Sequence, residues 1–380
     1  MTDPGLAGFM PPAYWHSSLG EALPAVAAAL GVPVAGDPGW ALPLAPAYVV
    51  LLVDGLGAEL LRRNAASAPY LSSLTSVGGQ VTSGVPSTTA ASLTSLGTGL
   101  PPGSHGVVGF TTRVPETGRL LNALHWDKTV DPLEWQPQPT LFERLCAANV
   151  DVQVVSKREF KGSGLSMASQ RGAHFVGADR LGERISAVTK ARSYRGRTRP
   201  RLVYVYEGDL DWIGHRYGVN SSQWRHQLVA IDAQAQQLRA ALPAQTRLLI
   251  LADHGMIDCP EAARVDVDQF SELREGLALL GGEARLRHLY AVEGAAGDLE
   301  MTWRQVLGDR AVVLARDQAI ALGWFGEVSE RVSPRIGDVV VACRANNGVF
   351  SSVDFPGERR LVGVHGSLTR DEMLVPVLVD

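Results

Sequence analysis

Asp253-His254-Gly255 closes the apolar run Leu248–Ala252, so an acid and an imidazole sit on the turn that leaves a buried strand. Three further segments have the same character. Asp54-Gly55 ends the run Tyr48–Val53, Asp211-Trp-Ile-Gly-His215 follows Leu202–Tyr206, and His365 lies in Val364-His365-Gly366. Carboxylates and imidazoles delivered from several strand ends into one crevice are what a hydrolase site with more than one metal ion requires. Asp211 and His215 are four residues apart, so on a helical turn they face the same way and can share an ion. Asp253 and His254 are adjacent and converge only on a turn, which Gly255 supplies. Asp209 is a competing acid two residues before Asp211 and points elsewhere on a regular backbone. His105, His125, His174 and His226 have no such setting and read as structural.

A second chemical signal is Val85-Pro-Ser-Thr-Thr-Ala-Ala-Ser-Leu-Thr-Ser-Leu-Gly-Thr-Gly99, in which hydroxyls open an Ala/Ser/Leu-rich helix. Ser87 or Thr88 can be a plain N-cap. Alternatively a hydroxyl there is a nucleophile, at a helix N-terminus whose N–H groups and dipole favour a phosphate. These residues alone leave both readings open.

The elements that must position these groups alternate in type. The short β-rich runs Tyr48–Val53, Val150–Val155, Leu202–Tyr206, Leu248–Leu251 and Leu374–Leu378 read as strands, and Leu228, Ile231, Ala235, Leu238 and Leu242 mark an amphipathic helix. The expected fold is α/β, a mostly parallel central sheet flanked by helices, with ligands at the C-terminal strand ends. Residues 1–45 read as an N-terminal extension with one helix at about Leu19–Leu30, and 46–257 plus 351–380 as the catalytic core. Residues 258–350 break the rhythm and read as a smaller inserted cap: a charged helix at Asp266–Leu280, a hairpin at Ala284–Val292, a helix at Met301–Leu307, then Val339–Cys343.

Bulk properties exclude several classes. The 380 residues are 46% apolar and 19% charged, which allows a large core. A net charge of −4 gives no general affinity for nucleic acid or anionic membrane. The basic stretch Arg192–Arg201 is punctuated by Gly and Pro and reads as a solvated connector. No run approaches the roughly 18 apolar residues that span a bilayer, and Met1–Ser18 does not look like a secretory leader. Three scattered cysteines (Cys146, Cys259, Cys343) fit a reducing compartment, so the expected location is cytoplasmic.

In their order and spacing, Asp54, the threonine-bearing helix start, Asp211-x-x-Gly-His215, Asp253-His254-Gly255 and His365 resemble the alkaline phosphatase superfamily. Gly99-Leu-Pro-Pro-Gly-Ser-His-Gly-Val-Val-Gly109 is similar to the segment after the nucleophile helix in its type I phosphodiesterase/nucleotide pyrophosphatase branch. The resemblance runs from Tyr48 to about Val379. It implies a nucleophile nine residues before the threonine of Thr98-Gly99, hence Thr89. It also implies two divalent metals, zinc by donor type with manganese allowed. Asp54, Thr89, Asp253 and His254 would hold one ion, and Asp211, His215 and His365 the other. The implied reaction is hydrolysis of a small-molecule phosphate diester or pyrophosphate, a nucleotide among the candidates, through a phosphothreonine. A phosphomonoesterase, a phosphonate hydrolase and a non-catalytic metal-binding relative are the alternatives. Where the family carries a phosphate-binding asparagine this chain has Phe110, and neither the arginine grip of alkaline phosphatases nor the sulfatase signature is present. Phe110, Lys157 and Phe160 are the candidate substrate contacts.

Overall fold

A computed structural model describes residues 6–32, 39–190 and 199–380. Most of the basic stretch Arg192–Arg201 therefore lies outside the described residues. The central sheet is built from β1 (Ala47–Val53), β2 (Thr75–Ser76), β3 (Asp151–Ser156), β4 (His174–Gly177), β5 (Arg201–Glu207) and β6 (Thr246–Leu251), completed by β11 (Val377–Val379). Its order is β2-β11-β6-β1-β5-β3-β4. The five strands from β6 to β4 are parallel; at one edge β11 runs antiparallel to β6, and β2 pairs antiparallel with β11. β1 lies at the centre and is apolar along its whole length, because helices cover both faces of a parallel sheet; Tyr48–Val53 are all buried. Leu52 stands opposite Tyr206 on β5 and Leu251 on β6. That register brings the turns after three neighbouring strands out at one level.

Three helices matter for the site: α2 (Thr89–Thr98), α3 (Asp209–Tyr217) and α4 (Ser222–Ala241). The Ser221 hydroxyl caps α4 by accepting from the Trp224 N–H at 3.1 Å, and Trp224, Leu228, Ile231, Ala235 and Leu238 form its buried stripe. The N-terminal helix α1 (Ala22–Ala29), preceded by a 3-10 turn at Leu19–Glu21, buries almost every residue in the main core.

A second sheet contains β7 (Leu277–Glu283), β8 (Leu286–Ala291), β9 (Ala311–Ala315) and β10 (Val339–Cys343), all antiparallel in the order β7-β8-β10-β9. One face packs on α5 (Ala296–Leu307) through Leu299, Trp303 and Leu307, and the Trp303 indole N–H donates to Leu273 O at 3.0 Å. The other face joins Val85, Val108 and Leu368 of the main body through Leu286, Val340 and Ala342.

Four expectations are corrected. Asp266–Leu280 is not a helix: it divides into a short strand, a 3-10 turn, the single helical turn Ser271–Arg274 and the start of β7. Its charges tie loops together instead, since Arg274 pairs with Asp268 and Asp354, and Asp268 accepts from the Val353 N–H. The hairpin turns at Ala284-Arg285, where the expectation had it begin, and its first strand lies upstream. The last expected strand is broken at Pro376, which has no N–H to give a ladder; Leu374–Val375 pairs with Val81–Thr82, and only Val377–Val379 enters the central sheet. The helix at Met301–Leu307 begins earlier, at Ala296.

The two units are joined through a fully buried ion pair. Arg285 Nε and Nη2 donate to the two oxygens of Glu372 at 2.9 and 2.7 Å, and Glu372 also accepts from the Ser367 N–H at 3.0 Å. Truncating one partner leaves a buried charge without its mate. Arg285→Ala should therefore lower unfolding free energy by about 3–5 kcal/mol in chemical denaturation; a loss under about 1 kcal/mol would refute the role given to the pair.

Candidate active site

The parallel register delivers the site. Asp54 leaves β1, Asp253 and His254 leave β6, and Asp211 and His215 ride on α3 immediately after β5. His365 comes from outside the central sheet, after the two-residue strand Gly363–Val364 that pairs with Ile257–Asp258. Gly55 adopts φ +74°, and a Cβ there would meet Asp211 at 3.1 Å, so the β1 turn and α3 approach closely only because the residue is glycine.

All three histidines are oriented in the same manner. Nδ1 of His215, His254 and His365 lies 2.8, 2.9 and 2.9 Å from the carbonyls of Gly363, Gly255 and Ser87. Donation from Nδ1 fixes the tautomer and leaves each Nε2 lone pair for the site. His254 Nε2 lies 3.3 Å from Asp54 Oδ1 and 3.4 Å from Asp253 Oδ2. His215 Nε2 is 3.3 Å and His365 Nε2 3.8 Å from Asp211 carboxylate oxygens. The His254 and His365 rings stack at 3.7 Å between centroids.

Two groups of donor atoms lie within 4.8 Å of one another: Asp211, His215 and His365, and Asp54, Asp211 and His254. Asp211 thus stands between the groups, whereas the sequence reading placed it in one. Asp253 adjoins the second group; its Oδ1 accepts from the N–H groups of Gly55 and His254 at 3.1 and 3.0 Å. Asp253 Oδ2 and Asp211 Oδ1 are buried and have no hydrogen-bond partner. Burial and its carboxylate neighbours push Asp54 well above the usual carboxylate range, and burial does the same to Asp253. Burial and the two nearby imidazoles hold His365 far below the usual histidine range. Crowded acids, orphaned oxygens and inward-facing imidazole lone pairs all fit bound divalent cations.

Thr89 is the first residue of α2, and its Oγ1 lies 3.2 Å from His254 Nε2 and 3.3 Å from Asp54 Oδ2. Thr88 occupies the N-cap position but makes no capping bond, and the Ser87 hydroxyl donates to Ser367 O at 2.7 Å. Of the three hydroxyls, the one adjoining Asp54 and His254 is therefore Thr89.

The candidate substrate contacts separate. Lys157 pairs with Asp209 at 3.0 Å, which turns that acid away from the histidines. Phe160 lines a cavity of about 250 Å³ with Tyr206, His125 and Thr89, and its ring meets Tyr206 edge-on. Phe110 lines a second cavity, of about 420 Å³, that also reaches Thr89. Sequence reasoning missed Tyr206, whose hydroxyl donates to Asp54 Oδ2, and Glu283, whose Oε2 accepts from the Phe110 N–H at 3.3 Å. Tyr206 sits at the last turn of a strand and was legible in principle; nothing near Glu283 signals a site. His125, read as structural, lines the Phe160 cavity.

The family model for type I phosphodiesterase / nucleotide pyrophosphatase matches residues 48–368. The chain belongs to that family. It is accordingly a metal-dependent hydrolase acting on phosphoester bonds, within the alkaline phosphatase superfamily. No curated protein sequence matches it. Among solved structures it is similar to murine ectonucleotide pyrophosphatase/phosphodiesterase 5, at 16% identity and TM-score 0.68 over 87% of each chain. The human counterpart gives 18% identity and 0.68, again over 87% of each chain. Phosphonoacetate hydrolase from Sinorhizobium meliloti gives 19% identity and TM-score 0.65, over 89% of this chain and 90% of that one. At these identities the likeness shows the fold, as the central sheet and flanking helices already indicate.

If cations hold the acids together, removing them must cost stability. EDTA should lower the thermal midpoint and added zinc should restore it; an ion at about 100 times its Kd contributes about 2.7 kcal/mol. A midpoint that neither reagent moves would rule out a metal at this cluster.

Proposed function

We propose that the protein is a two-zinc phosphodiesterase or nucleotide pyrophosphatase that cleaves through a phosphothreonine on Thr89. One observation carries this: the Thr89 hydroxyl lies within 3.3 Å of both Asp54 and His254, at the open start of a ten-residue helix. Asp54, Thr89, Asp253 and His254 would hold one ion and Asp211, His215 and His365 the other, with Asp211 near enough to both to help orient them. Bound there, the ions would supply Lewis acidity and offset phosphoryl charge. The residues contribute orientation. The Nδ1 bonds hold the imidazoles, Tyr206 fixes Asp54 through its hydroxyl, and the N-terminal end of α2 favours negative charge at Thr89 Oγ1. Attack by that oxygen on phosphorus expels the alcohol or phosphate leaving group, and water then releases the product from Thr89.

A nucleotide is a supported substrate class, since an inactive threonine-to-alanine variant of the murine protein is described in complex with AMP. A phosphonate hydrolase is the second reading, favoured by the likeness to the phosphonoacetate enzyme. We take residues 258–350 as an inserted cap on the core 46–257 and 351–380, with 1–45 as an extension. Three free cysteines support a cytoplasmic location.

Zinc-loaded protein should hydrolyse bis(p-nitrophenyl) phosphate in preference to p-nitrophenyl phosphate, and EDTA should abolish both. Preference for the monoester would overturn the diesterase reading, and silence on both with turnover of a phosphonate would favour the second. Thr89→Ala should reduce kcat on the order of a thousandfold or more while zinc still raises the thermal midpoint. Near-native turnover by that variant would remove Thr89 from its role.

A further inference from the structure

The cavity on the Phe110 side of Thr89 has a charge character of its own. Phe110, Leu124, Phe355 and Leu361 form apolar walls, and among the described residues no lysine or arginine lines it. Beyond the cluster around Asp211, its acids are Glu283 and Glu358. Glu358 is already neutralised: both Nη atoms of Arg287 bond to it, while Arg287 Nε donates to Val349 O at 2.9 Å.

Among the described residues no guanidinium or ammonium bonds to Glu283; Arg287 acts on it only through its field. Glu283 ends β7, is 8% exposed, and packs against Gly366, where an added Cβ would come within 3.1 Å of its Oε1. Oε2 accepts from the Phe110 N–H, but Oε1 is buried with no hydrogen-bond partner. The groups facing it are the Thr88 hydroxyl, Arg287 and Glu358; burial outweighs the first two and raises the carboxyl to about 8. A buried carboxylate oxygen without a donor is costly and calls for an N–H or a cation.

We propose that this cavity receives an ammonium-bearing organic group of the substrate, with an ammonium N–H donated to Glu283 Oε1 and the attached carbons against Phe110 and Phe355. The inference rests on the phosphodiester reading, in which one ester arm must lie beside Thr89. Charge decides the class. A second phosphate or a carboxylate on that arm would meet an acid with no base to receive it, whereas an alkylammonium gains a charge-assisted hydrogen bond and an apolar wall. The favoured substrate is thus a diester with an amino alcohol as one arm.

Binding tests this independently of turnover. In zinc-loaded Thr89→Ala protein, calorimetry would compare 2-aminoethyl methyl phosphate with propyl methyl phosphate, its isostere with an uncharged arm. The aminoethyl ester should bind about tenfold tighter or better, as expected for a hydrogen bond to a charged group, and adding Glu283→Gln should bring the ratio towards one. Equal affinity for the two esters overturns the proposal, and so does a preference that survives Glu283→Gln. The two-ligand comparison decides the question even if the Glu283 variant fails to fold. Failure of the parent reading is seen separately, as absence of bis(p-nitrophenyl) phosphate turnover by the unaltered enzyme.

Discussion

Mutual repulsion among buried carboxylates is the constraint on which this structure turns. Asp54 and Asp253 are buried, and Asp211 partly so, at the C-terminal ends of neighbouring parallel strands, and among the described residues the basic groups paired with them are imidazoles. Such an arrangement is unfavourable without positive charge, because desolvation and like-charge proximity both oppose ionisation. The surrounding fold nevertheless holds these acids ready. Gly55 lets α3 approach, backbone N–H groups fix Asp253, and Tyr206 fixes Asp54. The scaffold therefore stores an electrostatic deficit that divalent cations relieve, which links ion binding to both stability and chemistry.

The same logic explains the histidines. An imidazole offers one useful lone pair at a time, and which nitrogen presents it depends on the bond made by the other. Carbonyls of Gly363, Gly255 and Ser87 perform that selection for all three rings. Gly255 lies just after β6, Gly363 in the two-residue strand before His365, and Ser87 just before α2. The loops that look unstructured in the sequence thus set the direction of the ligand atoms.

Much of this was legible before any coordinates. Strand ends carrying Asp54, Asp253-His254 and Asp211/His215 are visible because a parallel strand is an unbroken apolar run and its loop carries the polar residues. Asp209 was correctly set apart, and Lys157 shows why. His365 could not be placed from its own neighbourhood, since its strand is two residues long. Asp266–Leu280 misled because salt-bridging charges at helical spacing look the same whether they span a helix or tie loops, and Gly282, at φ +81°, closes β7 where a helix end was expected. Glu283 was invisible for a different reason. A buried acid in the smaller sheet acquires meaning only through a long-range contact with Phe110, 173 residues away in sequence.

The Arg285–Glu372 pair has a consequence for how members of this architecture can diverge. Glu372 holds Ser367, its own carbonyl receives the Gly255 N–H at 2.8 Å, and Arg285 reaches it from the hairpin turn of the smaller sheet. Glu372 therefore connects the segment after His365 and the smaller sheet through its carboxylate, and the turn of Asp253-His254 through its backbone carbonyl. Exchange of that sheet for another, by recombination or by design, would succeed only if the incoming piece brought its own guanidinium to the same place. The smaller sheet is thus wired into the segments that carry His365, Asp253 and His254.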